Sequence, residues 1–571
     1  MTNRMIALTA VLLASACVAY AKQPPVVSLP APSSSNGSKP NIVVILADDM
    51  GYSDLGSYGS AIATPQLDSL AQEGVRFTNF YNTGRCCPSR ASFLTGLYPH
   101  RAGIGHMLGD TDFPGYSTKL NEEAVTLPEA LKASGYATYM VGKWHLGWAD
   151  EGSPNARGFD RFYGSRGYVD SYYTIVPGTD IYLDDEIVNP SGKAPVNHLH
   201  PDREFYTTDT YTDYAIHFIE EHTAAKKDQP FFMYVAHNAP HFPLHAKPED
   251  TAKYRGKFKD KGWDPFRRSR LSKLIEYGMF PERTPLTERD APDWNTFTEA
   301  EKDELDLKFA LYCAIIDRLD QNVGRLVDAL EENGQLDDTL IVFLSDNGAT
   351  KETGLFGING HDANPSNYEE WGRKGGWTSS LGRGWANVSN TPFRRYKREN
   401  HQGGIATPLI AWAGENVDLE IAAGSLSHQV GHIIDLYPTF LDMAGAKPLS
   451  ERNGQAAPEL AGKSLRTVFN GESIGLRTLY WEHEGNRAIR DGDWKLVARK
   501  EQDWELYDFS PKDRWWNNDK IESVNRVLVN AEKAKELEDK WNAWAAANRV
   551  EPWEIVYSNM RAKREAKKKK Q

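Results

Sequence analysis

Cysteine is scarce in this chain: Cys17, Cys86, Cys87 and Cys313 are the only four among 571 residues. Cys17 lies in an N-terminal segment that we expect to be removed, so the mature chain would keep an odd number of thiols. That count excludes a scaffold built on paired disulfides. Cys313 falls in an apolar helical run, which predicts a buried and unreactive thiol. The adjacent pair Cys86 and Cys87 is therefore the cysteine feature that needs an explanation.

An excess of basic residues is also missing. The chain has 66 Lys and Arg against 78 Asp and Glu, which gives a formal net charge of -12 at pH 7. Proteins that bind nucleic acid usually carry a basic face, so this balance argues against that class. An anionic small molecule is not excluded, because a local cationic pocket can outweigh the distant net charge.

Beyond its N-terminus, the chain lacks internal repeats and apolar runs long enough to span a membrane. Residues 1–21 have the pattern of a secretory signal peptide, with Arg4 ahead of the apolar run 5–16 and alanines at positions 19 and 21. This run is too short for a membrane anchor. We therefore expect an exported protein, periplasmic or secreted, with lipid attachment at Cys17 as the alternative.

The rest of the chain divides into three predicted regions. Residues 22–38 are rich in Pro and Ser, which indicates a flexible leader. Residues 39–445 alternate apolar runs with helical patterns and form the predicted main domain. Residues 446–571 change to short strand-like pieces and a charged helix, which predicts a smaller α+β subdomain. Its basic end, 561–570, has the composition of a frayed and solvated tail.

Four short apolar runs have the pattern of parallel strands buried on both faces: 41–47, 137–141, 231–236 and 340–344. Helical patterns separate them. The alternation predicts an α/β fold with a large doubly wound, mixed but mostly parallel sheet and helices on both faces. In the C-terminal subdomain, a small antiparallel sheet and a helix are predicted over 478–481, 488–489, 494–498, 505–507 and 527–547.

Capping signals mark three helix starts: Thr64 before Pro65, Thr126 with Glu129, and Thr298 with Glu301. The first helix is expected to stop at Gly74, and the last to continue to Gly334. Residues 354–390 are rich in Gly, Asn, Ser and Trp and show no periodicity. A long structureless segment is usually functional, so we predict a loop over the functional site.

Polar side chains follow each predicted parallel strand: Asp48, Asp49, Lys143, His145, His237, Asn238, His241, Asp346 and Asn347. Ligands bind at the carboxyl ends of the strands in open α/β sheets, so we expect these side chains to line one rim. A lone aspartate would more often cap a helix or a turn. Two pairs on two strand ends, Asp48 with Asp49 and Asp346 with Asn347, instead indicate a site for Ca²⁺ or Mg²⁺, which prefer oxygen ligands.

The stretch Cys86-Cys87-Pro88-Ser89-Arg90 has the pattern of a helix start, with Pro88 in the first turn and Gly96 able to end the helix. The unpaired N–H groups and partial positive charge of a helix start attract an oxyanion. Arg90, one turn further on, adds a fixed cation. The plain alternative is an ordinary helix start with a vicinal disulfide or two buried thiols.

This stretch, continued through Gly96, resembles the signature of the type I sulfatases of the alkaline-phosphatase superfamily. In that family the first cysteine is converted to Cα-formylglycine by a formylglycine-generating enzyme, and the hydrated aldehyde takes the sulfuryl group from a sulfate ester. Residues 231–241 are similar to the family stretch whose last histidine contacts the sulfate. Lys397 ahead of Gln402 resembles the family lysine, although a glutamate is usual at position 402. The arginines 394, 395 and 398 are the alternatives to this lysine.

Carried over residue by residue, the resemblance implies a complete site. It implies a metal shell of oxygen ligands for Ca²⁺, with Mg²⁺ as the alternative, from Asp48, Asp49, Asp346, Asn347 and the formylglycine at Cys86. It implies that Arg90 and His145 steady the formylglycine hydrate. It also implies that Lys143, His241 and Lys397 bind the sulfate, and that His241 or Lys397 protonates the leaving alcohol.

The resemblance extends from residue 41 to residue 553 and implies hydrolysis of aryl or carbohydrate sulfate monoesters to an alcohol and inorganic sulfate. The stretches 154–160 and 262–264 look like those of the larger bacterial arylsulfatases, whereas residues 514–516 depart from them. One alternative is a formylglycine-dependent phosphonate or phosphodiester hydrolase. A second is an inactive sulfoglycan-binding protein, in which Trp371, Trp377 and Trp385 would stack on sugar rings.

Overall fold

The computed structural model describes residues 39–168, 171–358, 379–510 and 519–570. Within these ranges, the chain forms one large mixed sheet, a short two-stranded ribbon and a separate four-stranded antiparallel sheet near the C-terminus. This architecture confirms the predicted fold class. The signal peptide and leader predicted over 1–38 lie outside the described residues. Among the described residues, no helix combines the length and the apolar character that a membrane crossing requires.

The large sheet is built from strands β1 (Asn41–Asp48), β2 (Val75–Tyr81), β3 (Ala137–Lys143), β4 (Arg161–Ser165), β5 (Ile181–Leu183), β6 (Glu186–Asn189), β7 (Phe231–Pro240), β8 (Thr339–Ser345), β9 (Ala406–Ala413), β10 (Ser425–Ser427) and β11 (Gly431–His432). Their order is β10-β2-β9-β8-β1-β7-β3-β4-β5-β6, with β11 also paired to β2. Strands β8, β1, β7 and β3 are parallel neighbours at its centre. The predicted parallel strands are therefore adjacent, and their carboxyl ends share one edge.

The helices are α1 (Pro65–Glu73), α2 (Cys86–Thr95), α3 (Leu127–Ala133), α4 (Thr207–Lys226), α5 (Pro248–Ala252), α6 (Trp263–Glu276), α7 (Glu299–Glu332), α8 (Gly382–Ser389), α9 (Gln402–Ile405), α10 (Leu436–Met443), α11 (Arg466–Phe469), α12 (Ala531–Ala547) and α13 (Trp553–Lys570). Both predicted capping boxes, at the starts of α3 and α7, have their two reciprocal hydrogen bonds. Cys313 is fully buried in α7, as predicted.

Two apolar cores lie on opposite faces of the large sheet. Side chains alternate between faces along a strand, and Val43 and Ile45 of β1 pack with α1, α4 and α7. Val44 and Leu46 pack instead with α2, α3 and α10. Because β1 is covered on both sides, its sequence is continuously apolar, and the polar residues appear only where the strand ends.

The C-terminal sheet is an antiparallel meander of β14 (Thr478–His483), β15 (Asn486–Asp491), β16 (Trp494–Ala498) and β17 (Glu505–Asp508). The ribbon β12 (Glu451–Arg452) and β13 (Gln455–Ala456) precedes it. Leu537 of α12 packs against Ile489, Leu496 and Leu506 of the meander, which gives this sheet its own small core.

Thr64 does not cap α1, contrary to the sequence prediction. Its hydroxyl oxygen accepts a hydrogen bond from the backbone N–H of Gly56 at 2.8 Å. The N–H groups of Gln66 and Leu67 donate instead to the Asp320 carboxylate, at 3.1 and 2.8 Å. The Asp320 carboxylate of α7 therefore caps the start of α1 in place of Thr64.

Two further local predictions were wrong in part: over 382–389 of the predicted loop, whose residues 359–378 lie outside the described ranges, and over the predicted fraying of 561–570. The predicted loop 354–390 contains helix α8, which packs Trp385 face to face on Phe309 with ring centroids 4.2 Å apart. Trp371 and Trp377, also expected in that loop, lie outside the described residues. The predicted frayed tail 561–570 is the end of α13, a helix whose Trp553 and Val556 pack on Tyr116.

Candidate active site

The predicted rim exists at the carboxyl ends of the central strands. Asp48 is the last residue of β1 and Lys143 is the last residue of β3, while Asp346 and Asn347 directly follow β8. His241 follows β7, which runs further than the sequence predicted. These side chains are almost completely buried. Because the strands are parallel neighbours, residues almost 300 positions apart meet at one edge.

The four predicted oxygen-ligand residues are in one connected cluster. Asn347 Nδ2 donates a hydrogen bond to Asp49 Oδ1 at 2.6 Å, and the backbone N–H of Asp49 donates to Asp346 Oδ1 at 3.4 Å. Arg90 Nε and Nη2 donate to Asp346 Oδ2 at 3.1 and 2.8 Å. The same Nη2 atom lies 3.4 Å from Asp48 Oδ2. Arg90 of α2 therefore joins the ends of β1 and β8.

This cluster has the donor set that a hard divalent cation requires. Asp48 Oδ1, Asp49 Oδ2 and Asn347 Oδ1 are buried and accept no hydrogen bond from any residue that the structure describes. Buried acceptors without a partner carry a free-energy cost. A cation coordinated by these oxygens would remove that cost, and an all-oxygen set suits Ca²⁺ or Mg²⁺. The residues present therefore fit the metal that the resemblance implies.

Cations are paired with the aspartates of the cluster. Lys143 Nζ lies 2.5 Å from Asp48 Oδ2, and Lys397 Nζ lies 2.6 Å from Asp49 Oδ1. His241 Nε2 is 3.6 Å from Asp49 Oδ2. Lys397 is the member of its basic segment that contacts this cluster. The neighbouring arginines have other partners: Glu522 and Tyr507 for Arg394, Glu399 for Arg395 and Glu352 for Arg398.

Cys86 begins helix α2, and Gly96 in the left-handed conformation ends it, as predicted. The Cys86 and Cys87 sulfurs and one ring nitrogen of His145 all lie within 4.8 Å of one another. The Cys87 hydrogen bond and the nearby Lys143 and His145 hold the pKa of the Cys86 thiol well below its usual value, against the effect of burial. The surroundings thus favour negative charge at position 86.

The buried charged groups shift one another's pKa values. Burial alone would raise the pKa of Asp48, but Lys143, His241 and Arg90 hold it well below its usual value. Burial and the nearby Asp48 carboxylate raise the pKa of Asp346, and Arg90 only partly opposes them. Two carboxylates forced together in this way are another mark of a site that concentrates negative charge for a cation.

The lysines and His145 have opposite protonation states. Burial alone would lower the pKa of Lys143 and Lys397, but Asp48 for the first, Asp49 for the second and Cys86 for both raise it. Burial lowers the pKa of His145 to about 4, despite the nearby Cys86. At neutral pH the site therefore holds two ammonium groups that can donate protons and one neutral imidazole that can accept one.

The backbone is strained where these side chains are held. Asp49 and His145 have φ angles of 69° and 61°, and Arg395 and Arg398, which flank Lys397, have φ angles of 70° and 80°. Residues other than glycine rarely adopt the left-handed region. Such strain is concentrated at functional sites, where surrounding structure holds it in place.

Three residues at the site were missed by the sequence reasoning. Met107 places its sulfur 3.8 Å from Cys86 Sγ and 3.6 Å from Cys87 Sγ. Arg85 has Cys86, Glu484, Glu352 and Asp49 as its charged neighbours. The position of Arg85 directly before Cys86 was a usable signal, whereas nothing local singles out Met107 or Glu352.

His237 was expected at the rim with the other residues that follow strands, and this prediction was wrong. It lies inside β7, and its charged neighbour is Asp209 of α4. Strand β7 continues to Pro240, so neither His237 nor Asn238 follows the strand. The first predicted residue past its end is His241.

Comparisons with known proteins identify the family of this chain. The family profile described as Sulfatase matches residues 40–446. An uncharacterised sulfatase of Schizosaccharomyces pombe is 31% identical over 550 residues, which cover 90% of this chain and 95% of the relative. An arylsulfatase of Klebsiella aerogenes is 31% identical over 452 residues, 75% of this chain and 92% of the relative.

Among solved structures, that of Ps i-CgsB in complex with k-i-k-neocarrahexaose matches with a TM-score of 0.63 at 26% identity, over 90% of this chain and 95% of that one. The family profile, the relatives and the arrangement of the rim lead to one conclusion. This chain belongs to the sulfatase family and is a sulfuric ester hydrolase.

Proposed function

We propose that this sulfatase hydrolyses sulfate monoesters of carbohydrates, and that aryl sulfates serve as assay substrates. Cys86 would act after conversion to formylglycine, and Ca²⁺, or alternatively Mg²⁺, would be held by Asp48, Asp49, Asp346, Asn347 and the group at position 86. The observation that carries this proposal is Arg90. It projects from the helix that Cys86 begins and contacts Asp48 at the end of β1 and Asp346 directly after β8.

A divalent cation and the formylglycine at position 86 would supply part of the chemistry. When bound, the divalent cation supplies Lewis-acid polarisation of a sulfate oxygen. When formed, the formylglycine hydrate supplies the nucleophile. A formylglycine-generating enzyme is therefore the partner that this proposal requires during maturation.

The lysines would hold the sulfate. An ammonium group has three N–H donors, and the aspartate contact of each lysine uses only part of this capacity. Lys143 and Lys397 stay charged because Asp48 and Asp49 raise their pKa values. His241 approaches Asp49 from the end of β7 and supplies a further donor. Preplaced cations of this kind stabilise the charge that develops as an S–O bond breaks.

Proton transfer would use one set of side chains for the leaving alcohol and another for the group at position 86. Lys397 or His241 would protonate the leaving alcohol, since both lie at Asp49 and both carry N–H groups. His145 would accept a proton from the group at position 86, because burial keeps its pKa at about 4 and its imidazole neutral. Arg90, held by Asp346, would fix the orientation of the first turn of α2.

Two observations support a carbohydrate sulfate as the natural substrate. The related Ps i-CgsB was solved with a neocarrahexaose bound. In this chain, Lys397 lines a polar cavity of about 210 Å³ together with Arg398, Arg499 and Asn486. Donors of this type suit the hydroxyl and charged groups of a sugar better than an apolar aryl group.

Parallel kinetics on two ester classes test the proposal. The chain, coproduced with a formylglycine-generating enzyme and supplied with Ca²⁺, should hydrolyse 4-nitrophenyl sulfate with a higher kcat/KM than an aryl phosphonate monoester. Cys86→Ala is the control for contaminating hydrolases and should be inactive on both. Preference for the phosphonate ester would reverse the assignment in favour of the alternative hydrolase.

A further inference from the structure

Three side chains outside the proposed mechanism meet between the segment after α2 and the C-terminal sheet. His106 lies in that segment, His483 is the last residue of β14, and Glu484 begins the turn into β15. We propose that His106, His483 and Glu484 form a zinc-binding site. It is separate from the oxygen-ligand cluster at the rim and does not depend on the proposed function.

The separations of the ligand atoms are compatible with a tetrahedral site. One ligand atom from each residue lies within 4.8 Å of the other two. Glu484 Oε1 is 3.4 Å from His106 Nδ1 and 3.6 Å from His483 Nε2. In a tetrahedral zinc site with bonds of about 2.1 Å, neighbouring ligand atoms are about 3.4 Å apart. The observed separations match those edges better than N–H···O hydrogen bonds, which favour about 2.9 Å.

The histidine nitrogens at this point have no other partner. His106 Nδ1 and both ring nitrogens of His483 are buried, and the Glu484 carboxylate is their only polar partner among the described residues. The His483 side chain is 0% exposed, and the Trp553 ring packs 4.6 Å from the ring of His106. Buried imidazole nitrogens are nearly always satisfied in proteins. Metal coordination would satisfy the two that face Glu484.

The backbone brings Glu484 to this point at a cost. Glu484 and Gly485 have φ angles of 51° and 82° and connect β14 to β15 as a two-residue hairpin turn. Asn, Asp or Gly is the usual first residue of such a turn, because a larger side chain is disfavoured in the left-handed region. A glutamate here places a carboxylate directly beside His483, where a local turn alone would not need one.

The chemistry distinguishes this site from the one at the rim. Two imidazole nitrogens and one carboxylate oxygen are a known ligand set for Zn²⁺, whereas Ca²⁺ takes oxygen ligands. Three protein ligands leave a fourth position for water. Glu484 also lines the cavity of about 210 Å³ that Lys397 lines, so the ion can enter from that cavity. Glu484 is also one of the acidic neighbours of the buried Arg85.

Calorimetric titration with ZnCl₂ tests the proposal on the full chain in excess Ca²⁺. Cys86 and Cys87 are first changed to alanine, because their sulfurs and His145 form a second cluster that could bind zinc. One equivalent of zinc should bind. His483→Ala should abolish this binding, and His106→Ala and Glu484→Gln should each weaken it by about tenfold or more. Melting curves verify that each variant is folded.

A matched control comes from α4. His217 Nε2 is 3.2 Å from Glu221, a histidine–glutamate pair that belongs to no three-residue cluster among the described residues. His217→Ala should leave the zinc stoichiometry and affinity unchanged. In the protein with Cys86 and Cys87 changed to alanine, Co²⁺ should give the visible absorption of a four-coordinate site. The same protein with His483→Ala should not show this absorption. The proposal would be overturned if zinc still binds after His483→Ala. It would also be overturned if the folded protein with only the two cysteine substitutions binds no zinc.

Discussion

Two buried lysine–carboxylate pairs in this protein have similar distances and burial. They differ in whether both oxygens of the carboxylate accept a hydrogen bond. Lys143 is 2.5 Å from Asp48 at the rim, and Lys495 is 2.6 Å from Glu522 behind the C-terminal sheet. None of these four side chains is more than 1% exposed. Both oxygens of Glu522 have donors, from Lys495 and from the backbone N–H of Gln402. Asp48 Oδ1 has no donor among the described residues.

The pKa values of the two lysines are shifted in opposite directions. Burial lowers the pKa of Lys495, and Glu522 only partly compensates. At Lys143, Asp48 and Cys86 outweigh burial and raise the pKa. The pair behind the C-terminal sheet is thus saturated and joins two parts of the fold, whereas the pair at the rim keeps a buried acceptor, Asp48 Oδ1, without a donor among the described residues. A buried ion pair marks a functional site when its hydrogen bonding is incomplete.

Isosteric amide substitution of Asp48 should give the largest effect on activity. We expect Asp48→Asn to lower kcat by about a thousandfold, because it removes a proposed ligand of the metal and the partner of Lys143. Its effect on the free energy of unfolding should be smaller than that of removing Glu522, because relief of the repulsion that raises the pKa of Asp346 partly offsets the loss of the Lys143 counter-charge. Steady-state kinetics and urea unfolding measure the two quantities. Near-normal kcat in a folded Asp48→Asn protein would contradict this.

The matched substitution Glu522→Gln should have the opposite profile. It leaves Lys495 buried without a counter-charge, and removing one partner of a buried pair destabilises a protein by about 3–5 kcal/mol. The folded fraction should keep its kcat, because Glu522 contacts Lys495 and Gln402 rather than the rim. Urea unfolding gives the stability change. Lost kcat with normal stability would end the distinction between the two pairs.

Addition and removal of Ca²⁺ should also separate the two regions. A ligand at a hundredfold excess over its Kd stabilises the folded state by about 2.7 kcal/mol. Excess Ca²⁺ should therefore raise the melting temperature of the unsubstituted chain and of Glu522→Gln, and chelation should reverse the increase. The Asp48→Asn protein should show a much smaller shift. Equal shifts in all three proteins would mean that Ca²⁺ binds elsewhere.

Acid should weaken the fold through a histidine outside both pairs. Burial lowers the pKa of His237 from 6.5 to about 4, so the unfolded chain takes up a proton between these pH values and the folded chain does not. The free energy of unfolding should therefore fall as the pH drops from 6.5 to 4, with His237 contributing about 3 kcal/mol. His237→Gln should flatten this part of the profile. An unchanged slope would show that His237 is not excluded from protonation.

Strand ends were the part of the site that the sequence predicted best. A continuous apolar run that stops at Asp48 or before Asp346 marks both the strand and the edge where a ligand binds. The capping boxes at Thr126 and Thr298 were equally readable, because each depends on residues three positions apart. These signals are local or follow from the topology of parallel sheets.

The failures share a physical cause, which is a partner far away in the sequence. Thr64 looked like a cap, but Asp320 of α7 reaches the first N–H groups of α1. Trp385 was predicted to lie in a loop, but it lies in helix α8, where its ring stacks on Phe309 of α7. His106 and His483 gave no joint signal, since only the folded chain brings these positions together.

Mass spectrometry of the peptide that contains residue 86 tests the central claim most directly. The sample should be a preparation whose sulfatase activity has been measured and whose Cys87 serves as an internal unmodified cysteine. The account predicts an aldehyde in place of the thiol at position 86, in a fraction that tracks the specific activity of each preparation. Full activity from protein in which Cys86 is entirely unmodified would contradict it.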